Sequence, residues 1–454
     1  HDNIAIGNFA LEDNTTGGNN IAIGSGSLAN ATNNIGNVAI GLEAMGDSVN
    51  DGNYNVAIGH LAMHDGDTSG QDNVAIGQKA GASITSGIDN ILIGKETGDA
   101  ITNGGRNILM GRFTGTNVIN GFYNIALGDF SLSELTAGDH NIALGHATLT
   151  SATSTNIQEN IAIGKHSMKD GAVTGDNNTG LGSQTLNNLT SGQSNLAIGS
   201  GSMGLGTVTS NDNIAIGNFA LEDNTSGGNN IAIGSGSLAS ATDNIGNIAL
   251  GFEALKTSAN DGDTNIAIGY QAMKTGDVSG ANNIAIGTNA LDDLTSGTDN
   301  IVLGAGAGLQ VTNNANNVVI GHDAFAASIN DGDKNVAIGA GAMKTGDVSG
   351  DGNIAVGELT LEDLTTGTDN IAIGSGAGLQ VTDNVDNIAI GHDAFAASVN
   401  DGDKNIAIGS GAMKTGDVSG ADNIGIGSLA LEDLTTGAGN VAIGKSAALN
   451  LTTG

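Results

Sequence analysis

Asn3-Ile4-Ala5-Ile6-Gly7 is the phrase that decides the fold of this 454-residue chain, because it returns 26 times, the last as Asn440-Val441-Ala442-Ile443-Gly444. The leading asparagines fall at 3, 20, 37, 55, 73, 90, 107, 124, 141, 160, 178, 195, 213, 230, 247, 265, 283, 300, 317, 335, 353, 370, 387, 405, 423 and 440. The 25 intervals span 437 residues, a mean of about 17.5, and each lies between 17 and 19. A register this regular means one structural unit laid on copies of itself.

Each rung is numbered below from its Asn as position one. Position two is aliphatic except at Thr179, position four is aliphatic throughout, and position five is Gly in all 26 rungs. Side chains alternate along a strand, so positions two and four share a face, and their β-branched Ile and Val suit a strand. Burial of these two aliphatic side chains, with the Leu described next, is expected to form the core. The obligatory Gly points to positive φ, or to a neighbour too close for a Cβ. Position eight is Ala, Ser or Thr (Ala10, Ser27, Ala290, Thr360), and position nine is mostly Leu, Met or Phe (Leu11, Met63, Phe325, Leu361), which predicts a second, weaker strand. Polar turns such as Leu364-Thr365-Thr366-Gly367 follow. The resulting expectation is an all-β chain, a parallel β-solenoid or β-roll of about 26 rungs of 17–19 residues. One such rung buries too little to offset the entropy of ordering its backbone, so stability must come from stacking.

Composition agrees with an array. Gly 75, Pro 0, Cys 0, Trp 0 and 2% aromatic residues make a poor globular core, while 39% hydrophobic content argues against disorder. The array is expected to run through residues 1–454 as one domain. A super-repeat of 70 residues lies over it, since Asn213, Asn283, Asn353 and Asn423 are spaced by that amount. Residues 3–29 return nearly verbatim at 213–239, and about 90–200 is the divergent stretch.

Position three bears on assembly. It is Ala in 20 rungs and Leu92, Leu109, Gly180, Val302, Val319 and Gly425 in the others, never polar. If positions two and four face the core, this strip faces out, and a long apolar strip calls for a partner. The expected state is a homo-oligomer sealed through Ala5, Ala22, Ala215, Ala232, Ala267, Ala285, Ala337 and Ala407. The alternative is that Ala fills a second layer within the same chain. For the recurrent Asn two structural readings stand: a turn-former that tolerates unusual φ/ψ, or a ladder of side-chain amides bonded from rung to rung.

Asn55-Val56-Ala57-Ile58-Gly59 and Asn265-Ile266-Ala267-Ile268-Gly269 resemble the head repeats of trimeric autotransporter adhesins, left-handed β-rolls of bacterial surface proteins. Similar runs occur in tail-fibre proteins of phages. The resemblance covers essentially the whole chain. It implies a homotrimer of rolls about a threefold axis, an extracellular, cell-surface or virion-fibre setting, and a head that binds host or matrix surfaces. These rungs are longer than the usual adhesin ones, and no coiled-coil stalk or membrane anchor follows. With His1 two residues before a full rung and Gly454 partway through one, the chain reads as a section of a longer protein or a processed subunit.

Thirteen basic against 47 acidic residues give a net charge of −34, which argues against nucleic acid and anionic membrane surfaces as partners. No apolar stretch is long enough for membrane insertion. The turns carrying Asp261, Asp263, Asp331, Asp333, Asp401 and Asp403 repeat at 70 residues and offer hard oxygen ligands, so Ca²⁺ is the one cofactor they would suit. Against it, Asp-Gly is common turn chemistry and no bidentate Glu follows. No cofactor motif or catalytic constellation stands out: the His residues are scattered, and the copies His322 and His392 lie four rungs apart. The sequence is thus read as non-enzymatic, a fibrous structural or adhesion protein. The alternative is a filament subunit that stacks end to end without a dedicated ligand. Thr rows such as Thr365-Thr366 raise a third reading, ice binding, and are interrupted in other rungs.

Overall fold

The computed structural model describes residues 2–49, 52–151, 156–257, 262–328, 332–397 and 402–454. It is an all-β parallel solenoid with no helix among the described residues. Two compact units divide it, His1–Gly228 and Asn229–Gly454. The first carries thirteen three-residue strands, from Ile4–Ile6 to Ile214–Ile216, and the second thirteen more, from Ile231–Ile233 to Val441–Ile443. Within each unit successive strands pair in parallel and in register, Ile21 on Val38, Ala22 on Ala39 and Ile23 on Ile40, so like stacks on like. In the divergent stretch a small second sheet adds Gly138–Asp139 beside Ile157–Gln158.

The two faces of the strand are the reverse of the sequence expectation. Positions two and four point outward and are half-buried or exposed, whereas position three is buried in every rung between the terminal ones. Ala22, Ala215, Ala232, Ala267, Ala285, Ala337 and Ala407 are all 0% exposed within a single chain. Only Ala5, in the first rung, is open. The strip that was expected to be sealed by sister copies is therefore sealed by its own chain.

Volume explains the reversal. The core is filled from the opposite wall by position nine (Leu28, Met63, Phe325, Leu431) and position twelve (Ile84, Leu135, Leu294, Leu364), all fully buried. Large side chains there leave room only for a methyl at position three. A Cβ on Gly425, at position three, would already lie 3.2 Å from Met413 Cε and 3.5 Å from Leu431 Cδ1, both position-nine side chains. Where position nine shrinks to Gly81, Gly98 or Gly115, position three grows to Leu92 or Leu109. Leu92 and Leu109 are thus size compensations across the core, their Cδ atoms lying where a Cβ on Gly81, Gly98 or Gly115 would come.

Position nine does not form a second strand. Positions six to eleven make turns, with positions seven and nine in left-handed backbone: Phe9 at φ 59°, Leu11 at 55°, Met63 at 50° and Phe325 at 53°. Such φ values are unfavourable for L-residues in isolation. Here hydrogen bonds to both neighbouring rungs hold them, as Leu28 N–H donates to the Ala44 carbonyl (3.0 Å) and Gly26 N–H to the Asn8 carbonyl (2.8 Å). The Gly at position five meets both sequence explanations together. Gly7 has φ 134°, and a Cβ on it would lie 2.5 Å from the Gly24 carbonyl oxygen.

The recurrent Asn is a ladder and also a brace. Asn55 Oδ1 accepts from the Asn73 backbone N–H (2.9 Å) and from Asn73 Nδ2–H (3.1 Å), while Asn55 Nδ2–H donates across the coil to the Gly70 carbonyl (2.9 Å). The buried amides so tie one rung to the next and the strand to the closing turn of its own rung, except at Asn387, whose Nδ2 has no partner.

Candidate functional site

With Ala inside, the exposed apolar feature of each unit is the outer strand face. Position two and position four each form a column of Ile, Val and Leu, with Met110 the one other apolar residue and Thr179 the one polar interruption. Most of these side chains are partly buried, and the most open between the terminal rungs reach about two-fifths, as Ile91 at 38%, Ile373 at 41% and Leu181 at 42%. In-register pairing puts identical side chains one strand apart, so the face is flat and uncharged along its own columns. Contiguous apolar patches beyond a few hundred Å² are rare on monomers.

The acidic turns serve the fold first. Asp263, Asp333 and Asp403 each accept a backbone N–H from the preceding rung through Oδ1: Ile245 at 2.6 Å, Ala315 at 2.6 Å and Val385 at 2.8 Å. Asn53 holds the Ile35 N–H in the same way (2.7 Å), which makes these aspartates interchangeable with an uncharged rung-to-rung acceptor. Asp261, Asp331 and Asp401 lie outside the described residues. Among the described residues no three His, Asp or Glu side chains converge as a metal-holding group. The Thr rows bond along the same axis, Thr365 Oγ1–H donating to the Thr382 carbonyl (3.0 Å) and Thr435 Oγ1–H to that of Thr452 (2.9 Å). No helix among the described residues is long and apolar enough to cross a membrane.

Sequence reading passed over the charge pairs on the position-seven and position-ten columns. Lys274, Lys344 and Lys414, at position ten, reach back one rung to a carboxylate at position seven: Glu253 (2.9 Å), Asp323 (2.9 Å) and Asp393 (2.7 Å). The signal was present, since each pair is 21 residues apart and recurs at 70. Glu253 is the best held. Hydrogen bonds from Lys256, Lys274 and Gln271 bring its carboxyl down to about 2. Acids at position ten go the other way: burial, then the neighbouring Asp293 and Asp363 charges, push Asp292 and Glu362 up, with Lys274 and Lys344 opposing.

Both arginines and several aromatics gather in the divergent stretch. Phe113 stacks on Phe130 (5.3 Å between centroids), Arg112 lies over both rings, and His146 and His166 continue the row. A second row stacks Tyr123 on His140 (4.8 Å) beneath Arg106. Burial and the nearby Lys169 and Lys165 charges lower the His166 pKa. Ring faces turned toward one another in this way are used up within the chain, and Arg112 is paired with Asp129 (3.4 Å).

No protein-family model matches the chain, and no curated protein matches it.

Proposed function

We propose that this chain is the repeat region of an extracellular fibrous structural or adhesion protein, at a cell surface or on a virion fibre, assembled as a homo-oligomer. The observation that supports it most is the outer Ile/Val/Leu face, columns two and four of every rung. Thirteen rungs with two partly exposed side chains each, aliphatic but for Thr179, present on the order of 10³ Å² per unit, comparable with the ~800 Å² per partner of a standard interface. Sister copies, with the same strand spacing, match that face side chain for side chain. A net charge of −34 keeps such an assembly soluble and disfavours nucleic acid and anionic membranes. The resemblance to adhesin head repeats favours three copies and adhesion to host or matrix surfaces.

Light scattering over a hundredfold concentration range tests the assembly. A fixed trimeric mass, reduced to the monomer by Ile266→Lys with Ile268→Lys, is the expected result. Growth without limit favours the end-to-end filament, and a wild-type monomer at every concentration overturns the reading.

A further inference from the structure

At one rung the columns of positions seven and ten lose their side chains together. In the rung from Asn195 both are glycine, Gly201 and Gly204, a combination no other rung has. The result is a small open notch of about 70 Å³, bounded on the preceding rung by Gln184 and Asn187 and on the following rung by Phe219 and Glu222, with Leu205 at its side.

The 70-residue super-repeat shows what this space holds elsewhere. Gly204 corresponds to Lys274, Lys344 and Lys414, and Glu222 to Asp292, Glu362 and Glu432. In those three copies a lysine of the chain itself lies across the columns, its ammonium 2.7–2.9 Å from a carboxylate one rung back. Gly341 and Gly411 show that a glycine at position seven accompanies a lysine at position ten without difficulty. Around Gly204 both the lysine and the carboxylate it bonds one rung back are missing, and the acid on the following rung is kept. Burial and the Asp223 charge push the Glu222 carboxyl up, and no cation is among the groups acting on it, whereas Lys344 offsets the same influences at Glu362. Gln184, where the siblings carry Glu253, Asp323 and Asp393, retains an amide oxygen as acceptor. Asn187 is fixed by donating Nδ2–H to Asp170 (2.8 Å), and its Oδ1 accepts no bond. The exposed Phe219 and Leu205 supply apolar and π surface beside the acid, which suits a cation on an aliphatic stem.

We propose that the Gly204 notch is a binding site for a primary alkylammonium group, the end of a lysine side chain on a partner protein or of a free polyamine. The ligand occupies the space that Lys274, Lys344 and Lys414 fill in the sibling rungs. Its ammonium pairs with Glu222 and the Gln184 amide oxygen, and its methylene stem lies along Leu205 and Phe219. The strongly negative chain concentrates such cations at its surface, and the notch selects the one with a narrow stem.

Saturation-transfer NMR on the whole chain with n-butylammonium chloride tests this, with n-butanol as the uncharged match. A saturable signal for the amine and none for the alcohol is expected. Glu222→Gln should weaken binding at least tenfold, and Gly204→Lys, which supplies the ammonium in cis, should do the same once circular dichroism shows that the fold absorbs its Cβ, which would lie 2.8 Å from the Gln184 carbonyl oxygen. In the reverse direction, Lys344→Gly should open a second site and raise the stoichiometry from one to two. Nα-acetyl-lysine amide and spermidine, run in parallel, separate a protein side chain from a free polyamine as the tighter ligand. Equal amine binding by wild type, Gly204→Lys and Glu222→Gln overturns the proposal, as does equal binding of the alcohol.

Discussion

Leu109 occupies the space that a side chain on Gly115 would need: a Cβ there would lie 2.7 Å from Leu109 Cδ1. The pair inverts the usual Ala at position three and Leu at position nine. Leu109→Ala should therefore leave a cavity and destabilise the first unit by about 2–5 kcal/mol. Adding Gly115→Leu should recover part of that loss, because Leu is held at the same left-handed position in Leu221 and Leu291. Urea unfolding of the two single variants and the double variant measures the coupling. Additive losses would show that the two positions do not share one space.

Ala267 and its strand neighbours Ile266 and Ile268 separate the inside of the coil from its outside. Ala267→Lys places a long charged side chain where exposure is 0%, and it should disrupt the local fold rather than only change the mass. Ile266→Lys and Ile268→Lys, on the outer face, should leave the circular dichroism spectrum intact. Hydrogen exchange over residues 262–292 distinguishes them: protection falls with the first variant and persists with the other two. Protection retained in Ala267→Lys would return the alanines to the surface.

How much of this was legible from residues alone depends on which interaction sets each position. Asn, Gly and the 17–18-residue period were legible because backbone stacking demands them: the Gly at position five meets a carbonyl one rung on, and the Asn holds the next Asn N–H. Which side of the strand faces the core was not. A three-residue strand offers too short an alternation to outweigh a general preference for burying Ile over Ala. The deciding partners, Leu, Met and Phe at position nine, sit in a left-handed turn that no strand or helix periodicity announces. The correlation between Gly98 or Gly115 and the Leu at position three was visible in the sequence and carried the answer. Likewise the acidic turns looked like ligand sets because carboxylates suit both a cation and a backbone N–H, and only the placement of Ile245 beside Asp263 tells which is served.

Asn283 engages five groups at once: Oδ1 accepts from the Asn300 N–H (3.1 Å) and Nδ2–H (2.9 Å), and Nδ2–H donates to Asn265 Oδ1 (3.0 Å), the Gly297 carbonyl (2.8 Å) and the Ala281 carbonyl (3.2 Å). Asn283→Ala strands buried donors and acceptors, each worth about 1–3 kcal/mol when left unpaired. Asn283→Asp keeps the acceptor, loses both donors and buries a charge, so at neutral pH it should be the more damaging of the two. Thermal unfolding at pH 7 and at pH 4 checks this, the Asp variant regaining stability at the lower pH as its carboxyl protonates. An Asp variant equal to wild type at pH 7 would mean that the ladder needs only its oxygen.

Glu253 contributes to the acid limb of the second unit. Its carboxyl is held at about 2 in the folded chain against an ordinary 4.5, by hydrogen bonds from Lys256, Lys274 and Gln271. A depressed acid stabilises the folded state fully above its unfolded value, and that contribution fades as pH falls through the folded one. Asp292 and Glu362 have the opposite sign, since their raised values favour folding as pH drops through them. Glu253→Gln should thus lower the urea midpoint at pH 7, and the difference from wild type should close between about 4.5 and about 2. Lys274→Met should reproduce part of the effect, because Lys256 still bonds Glu253 at 2.7 Å. High salt should shrink the difference only modestly, as the Glu253 side chain is 16% exposed and its hydrogen bonds are short. A gap between Glu253→Gln and wild type that stays constant from pH 7 to pH 2 would mean that packing, and not charge, is what Glu253 contributes.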